Sequence, residues 1–168
     1  SKLTLFSQII SKIDRVIFKK IVKEKKTDYR NKGFDSWTHL VSMLFCHFAK
    51  STSVRDISNG LRSATGNLNH LGIKTAPSKS SISYQNGKRD ADLFKDLYFI
   101  LLEHLGQHTK QKRVKLKIKV PVYLLDSTLI SLCLSLFDWA TYRTKKGAVK
   151  MHTLLEYDGK LPVYVNIT

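Results

Sequence analysis

Cysteine is nearly absent from this chain. Among 168 residues there are two, Cys46 and Cys133, far apart and each inside an apolar run. The pattern offers neither a disulfide framework nor a zinc-ligand spacing, and both read as small core residues in a reducing compartment. Long apolar runs are missing too. None reaches the roughly 18 residues needed to span a bilayer, and Lys12, Asp14 and Arg15 interrupt what could have been a signal-peptide core. A soluble intracellular protein is expected, with charge alone leaving a membrane-surface protein open. There is no internal repeat and no low-complexity tract. Acid is the other scarcity: 13 Asp and Glu stand against 29 Lys and Arg, a net charge of +16. Residues 1–110 carry a net +10 and residues 111–168 a net +6, so no detachable basic tail accounts for the excess. An imbalance of this size favours a polyanionic partner, either nucleic acid or an anionic membrane surface. The 42% hydrophobic content suffices for a folded core, and the length suits one ordinary domain or two small ones.

The apolar period is helical first and strand-like later. Residues 3–25 read as one amphipathic helix, with Phe6, Ile9, Ile10, Ile13, Val16, Ile17 and Ile21 at three- and four-residue intervals. Lys19, Lys20, Lys23, Lys25 and Lys26 crowd its last turns, where cations suit the helix dipole; they read equally as a solvated helix end or as phosphate contacts. A second helix starts at Asp35 or Ser36 with Trp37, Leu40, Val41, Leu44, Phe45 and Phe48 as its apolar face. His39 and His47 on it are too far apart for a metal pair. A third helix fits Ser53 to Leu61, with Asp56 three residues after a Ser cap, close to a capping box. A short segment around Leu68 and Leu71 ends at Gly72. Ser78 or Ser80 caps a further helix to Gln85 or Asn86, with Gly87 as its stop. Asp90 is a candidate cap for the next, which holds helical spacing to Gly106. Residues 107–119 are a basic linker leading into an edge strand. Strands are expected at 120–126, at 128–134 as continuation or successor, at 149–157 and at 161–167, with Asp158-Gly159 as the hairpin turn between the last two. The fold class is therefore α+β, an all-helical domain over 1–112 followed by sheet over 113–168, a second part too small to bury a core of its own.

Three constellations could carry chemistry. The helix pair Ser53–Leu61 and Ser78–Asn86 resembles a helix-turn-helix with an enlarged connection. Its second helix offers Lys79, Ser81, Gln85 and Asn86, with Lys88 and Arg89 just beyond, side chains that suit phosphates and major-groove edges; an exposed scaffold helix has the same composition. The segment 137–147 interleaves aromatics with Arg143, Lys145 and Lys146, a mixture able to stack on bases and pair with phosphates, or an ordinary basic loop pinned by a core Trp. Asp126 ends the apolar run Val120–Leu125. A carboxylate there needs a partner. It either caps a turn with Ser127 and Thr128, the reading spacing alone favours, or binds a metal in a nuclease-type sheet. Lys150 and His152 share one face of the next strand and are expected across the sheet from Asp126. Spacing supplies no convincing second and third carboxylate, and one Asp cannot hold two catalytic cations.

On these residues the chain resembles the DDE transposases of bacterial insertion sequences, in the IS-four-like group whose core carries a long strand insertion. The likeness is carried by residues 124–128, 132–140, 146–155 and 158–159. In the helical part it is carried by Phe6-Ser7-Gln8, Leu44-Phe45-Cys46, Ser53-Val54-Arg55-Asp56-Ile57, Gly60-Leu61-Arg62-Ser63, His70-Leu71-Gly72-Ile73 and Lys88-Arg89-Asp90. The resemblance implies an RNase H-like core, of which this chain would hold the first three strands. Asp126 would be the first carboxylate of the DDE triad, ligating Mg²⁺ or Mn²⁺ in the complete enzyme. The helical domain would bind terminal inverted repeats of double-stranded DNA, and Lys146, Lys150 and His152 would fall in the segment that lines DNA near the active site. It further implies a bacterial cytoplasmic, nucleoid-associated protein that transposes DNA by metal-dependent strand cleavage and strand transfer, with no membrane partner. The second Asp and the Glu lie beyond Thr168 in such enzymes. The chain is therefore expected to be an N-terminal portion that binds DNA and does not catalyse, with the metal ions assigned to the complete enzyme. Alternatively it is a truncated DNA-binding regulator that occupies the inverted repeats, or pairs with the full-length transposase, and inhibits it; a homodimer or a full-length transposase is the expected protein partner.

Overall fold

The computed structural model describes residues 4–31, 33–64, 68–109, 120–131, 148–157 and 161–168. Two compact units are present, Ser1–Leu97 and Tyr98–Thr168. The division falls inside a helix, fifteen residues or so before the composition shift suggested.

The first unit is helical: α1 (Leu5–Ile10), α2 (Arg15–Lys25), α3 (Ser36–Phe48), α4 (Val54–Ser63), a 3₁₀ turn (Leu68–Leu71) and α5 (Lys79–Lys88), with the start of α6 (Asp92–Thr109). The single N-terminal helix expected from periodicity is two helices. Asp14 breaks it by accepting the N–H groups of Val16 and Ile17 as the N-cap of α2, which satisfies donors that a helix start leaves orphaned. The break shifts the phase of the apolar face. Phe18 and Ile21 are buried, while Val16 is 77% exposed. On α3, Asp35 caps the Thr38 N–H as expected, and Trp37, Leu40 and Val41 are buried, but Phe48 lies outside the core. The box at α4 is offset by one residue. Ser53 Oγ accepts from the Asp56 N–H, and the Asp56 carboxylate reaches back to the N–H and hydroxyl of Thr52. Those bonds hold the Asp56 carboxyl below its usual range, the Ser53 hydroxyl contributing most.

The core of this unit gathers Ile10, Phe18, Trp37, Val41, Val54, Ile57, Leu61, Ile73, Ile82 and Leu93. Phe18 meets Trp37 edge-on at 5.4 Å, the Arg15 guanidinium lies 4.6 Å over the same Trp, and the Trp37 indole N–H donates to the Leu71 carbonyl at 2.8 Å. Gly72 takes φ +69 directly after that turn, a conformation that suits glycine. Ser58 Oγ donates to the Pro77 carbonyl at 2.8 Å, tying α4 to the approach to α5. Gly87 is not the stop of α5. The helix continues through it to Lys88 and ends where Arg89 turns to φ −74, ψ 133.

In the second unit β1 (Tyr123–Ser131), β2 (Ala148–Glu156) and β3 (Leu161–Ile167) form an antiparallel sheet in the order β1-β2-β3. The protein is thus α+β. Among the described residues of this unit only Thr153 is buried, and the buried apolar side chains among the described residues belong to the helical unit. Asp126 sits in the middle of β1, which runs unbroken from Tyr123 to Ser131; it ends no strand and caps no turn. The linker 110–119, Cys133, the segment 137–147 and the Asp158-Gly159 turn lie outside the described residues.

Candidate nucleic-acid interface

The backbone after α2 turns twice against its usual hand. Lys26 closes the helix at φ 51, and Arg30 follows at φ 57. Side chains other than glycine seldom adopt this region, so other bonds must hold the turn. Asp28 supplies them. Its Oδ1 accepts from the Ser36 N–H at 2.8 Å and hydroxyl at 2.8 Å, and from Arg89 Nη2 at 3.2 Å. Arg89 Nη2 also donates to the Phe34 carbonyl at 3.0 Å. Its side chain is 1% exposed. Burial lowers the Arg89 pKa, and Asp28 and then Asp35 offset only part of that effect. The end of α5 is thereby riveted to the segment that links α2 to α3.

Between them lies an open cleft of about 550 Å³. One wall is the end of α2 and its turn, with Lys25, Lys26, Tyr29 and Arg30. The other is α5, with Ser81, Tyr84, Gln85 and Lys88. These four fall at i, i+3, i+4 and i+7, one stripe of a helix. Ile82 is the sole buried side chain among the ten residues of α5. The helix packs through little and presents polar surface on most sides. Ser78 pre-sets it by accepting the Ser81 N–H. Both tyrosines are exposed, Tyr29 at 71% and Tyr84 at 61%. Each carries a cation on its ring: Arg30 stands 5.2 Å from the Tyr29 centroid and Lys88 5.2 Å from that of Tyr84, and Lys88 Nζ donates to the Tyr84 hydroxyl at 3.0 Å. Lys25 is held by Asp96 at 2.8 Å, a bond that raises its pKa. Asp90 also borders the cleft, its carboxylate taking the Asp92 N–H.

The residues singled out from sequence therefore separate. Ser81, Gln85 and Lys88 come together in the cleft. Lys79 is exposed at the first turn of α5. Asn86 is half-buried beside His39. Arg89 also borders the cleft, but its side chain is 1% exposed and its guanidinium is taken up by Asp28 and the carbonyls of Phe34 and Asp35. Arg143, Lys145 and Lys146 lie outside the described residues. Tyr29, Arg30 and Tyr84 were not singled out. Their signal was an aromatic among the polar residues of α5, and another beside an arginine after a lysine-rich run.

On the sheet, register decides which side chains meet. Asp126 pairs with Thr153, Ser127 with His152 and Leu129 with Lys150. Directly opposed residues share a face and neighbours alternate. Lys150 and His152 consequently lie on the face away from Asp126, contrary to expectation; the register is one residue off the pairing that would have opposed them. Asp126 is exposed and accepts the Thr128 hydroxyl at 2.7 Å. Among the described residues no three His, Cys, Asp or Glu side chains gather to hold a metal ion. One carboxylate with hydroxyl neighbours does not make a two-metal site, and no catalytic step follows from it.

Residues 1–74 match the family model described as a domain of unknown function, DUF4372, a domain found in transposase-like proteins. That match covers α1 to α4 and the 3₁₀ turn and stops short of α5. No curated protein and no solved structure matches the chain. Among the described residues no helix is long and apolar enough to cross a membrane.

Proposed function

We propose that this chain is the DNA-engaging part of a transposase-like protein and that α5 and the cleft beside it contact duplex DNA. The observation that carries this is the convergence of Lys26, Arg30 and Lys88 with Ser81 and Gln85 across one cleft, in a chain of net charge +16. Cations neutralise phosphates, and short polar and amide side chains on a helix suit base edges and sugar-phosphate oxygens. A helix anchored by one apolar side chain while its other faces remain polar is suited to a groove rather than to a core. The family match over residues 1–74 supports a role in a transposase-like protein. In this reading the repeat ends of a mobile element are the natural duplex. The strands β1–β3 would begin an RNase H-like core with Asp126 as its first carboxylate, Mg²⁺ or Mn²⁺ acting only once further ligands join it.

The test is duplex affinity measured by fluorescence anisotropy across a salt series. A steep fall in affinity with salt is expected, because several phosphates are neutralised. Affinity that is negligible at low salt, or indifferent to salt, contradicts the proposal.

A further inference from the structure

The cleft holds more than a straight duplex can use. A duplex presents phosphates and base edges, and its base faces are covered by stacking. Cations alone would serve it. Yet Tyr29 and Tyr84 stand on opposite walls, largely exposed, and each has a cation 5.2 Å from its ring centroid. An aromatic face beside a cation is the pairing that takes a nucleobase together with its phosphate, and every base has a face to offer once it is unpaired. The space of about 550 Å³ is concave and bordered by Ser81 and Gln85, whose hydroxyl and amide can bond a base edge. The fixed backbone supports this. The turn bearing Tyr29 and Arg30 is held through Asp28 and Arg89 to the end of α5, so the two walls keep their separation without a ligand.

From this we infer that the cleft is a site for an unpaired nucleotide of DNA, stacked on Tyr84 or Tyr29 with its phosphates on Lys26, Arg30 and Lys88. The inference rests on the DNA-binding reading above and deepens it: the preferred partner is a duplex with a single-stranded end.

The experiment uses the full chain and three probes: a blunt duplex, the same duplex with a short single-stranded extension bearing 2-aminopurine, and that extension's sequence as RNA. The extended duplex is expected to bind about tenfold more tightly than the blunt one, with the 2-aminopurine emission quenched on binding. Tyr84→Ala and Tyr29→Ala should remove most of that preference and the quenching, weakening the extended duplex several-fold more than the blunt one. Tyr84→Phe, which keeps the ring and loses only the hydroxyl, should retain both. Equal binding of the two duplexes overturns the inference and leaves the DNA-binding reading standing. So does equal weakening of both by the alanine variants. RNA bound more tightly than the extended duplex overturns the assignment to DNA, and no binding of any probe overturns both readings.

Discussion

Arg89 shows how far residue type alone can mislead. A lysine-arginine pair after a polar helix reads as phosphate-binding, and Lys88 does face the cleft. Arg89 turns inward instead, because α5 ends on it and its guanidinium finds Asp28 and two carbonyls within reach. Removing one partner of such a pair leaves a charge unmatched, which is costly. Asp28 keeps some solvent, so Arg89→Ala is expected to destabilise the helical unit by about 2 kcal/mol, read as a lower urea midpoint; an unchanged midpoint would deny the rivet. His39 is the other buried titratable group. Its ring is 2% exposed, packed near Phe34 and Phe94, and neither nitrogen makes a hydrogen bond by geometry. Burial first, then the charge of Arg89, pulls its pKa to about 4, with Asn86 offsetting part of the effect. The unfolded chain takes up this proton near the ordinary value of 6.5, and the folded chain does not until about 4. Between those values the unfolded state binds more protons, so stability falls as pH falls, by about 3 kcal/mol in all from this group. Urea titrations at pH 7 and 4.5 should show the loss in the parent and a smaller loss in His39→Leu. An identical pH dependence in both assigns it elsewhere.

At the scale of elements, α5 carries the sharpest test. Gly87 lies inside it with no heavy atom within 4 Å of where a Cβ would stand. Gly87→Ala is therefore expected to stabilise the chain by up to about 1 kcal/mol, the helix-propensity difference. A loss of that size would mean that the helix closes at Gly87 in a left-handed turn. Most helices were legible because their caps were: Asp35, Ser53 and Ser78 each precede an apolar or polar period and each accepts the expected N–H. Asp14 was the same kind of signal inside a period that seemed continuous, and the three- and four-residue spacing outvoted it. Strand register was not legible. Alternation assigns Lys150 and His152 to one face but does not say which residue of β1 opposes them, and a slip of one exchanges the faces. The cleft was half legible. Ser81, Gln85 and Lys88 of its α5 stripe were named from composition and Tyr84 was not, whereas the Tyr29–Arg30 turn depends on Asp28 reaching residues eight and sixty-one positions away, contacts no local pattern encodes.

The whole molecule joins a helical unit with a packed core to a sheet that is open on both faces among the described residues. Leu125 is 75% exposed, Leu129 71% and Ile167 61%. Leu125 and Leu129 share the face of Lys150 and His152, while Leu124 lies on that of Asp126. Exposed apolar sheet of this kind drives association. Sedimentation of the chain should show self-association that the pair Leu125→Lys and Leu129→Lys reduces; a monomeric parent would contradict this. Charge is the other molecular-scale property, and it bears on the central claim, that the cleft beside α5 binds DNA. Charge reversal separates the cleft from the general basicity of the chain. The most direct measurement compares duplex affinity over a salt series for Lys26→Glu/Lys88→Glu with that for Lys12→Glu/Lys50→Glu, two lysines outside the cleft. The first pair is expected to weaken binding at least about tenfold at low salt and to flatten the slope of log K against log salt by roughly two phosphate contacts, while the second pair changes the slope far less. Equal losses in the two variants, or an unchanged slope in the first, would contradict the account.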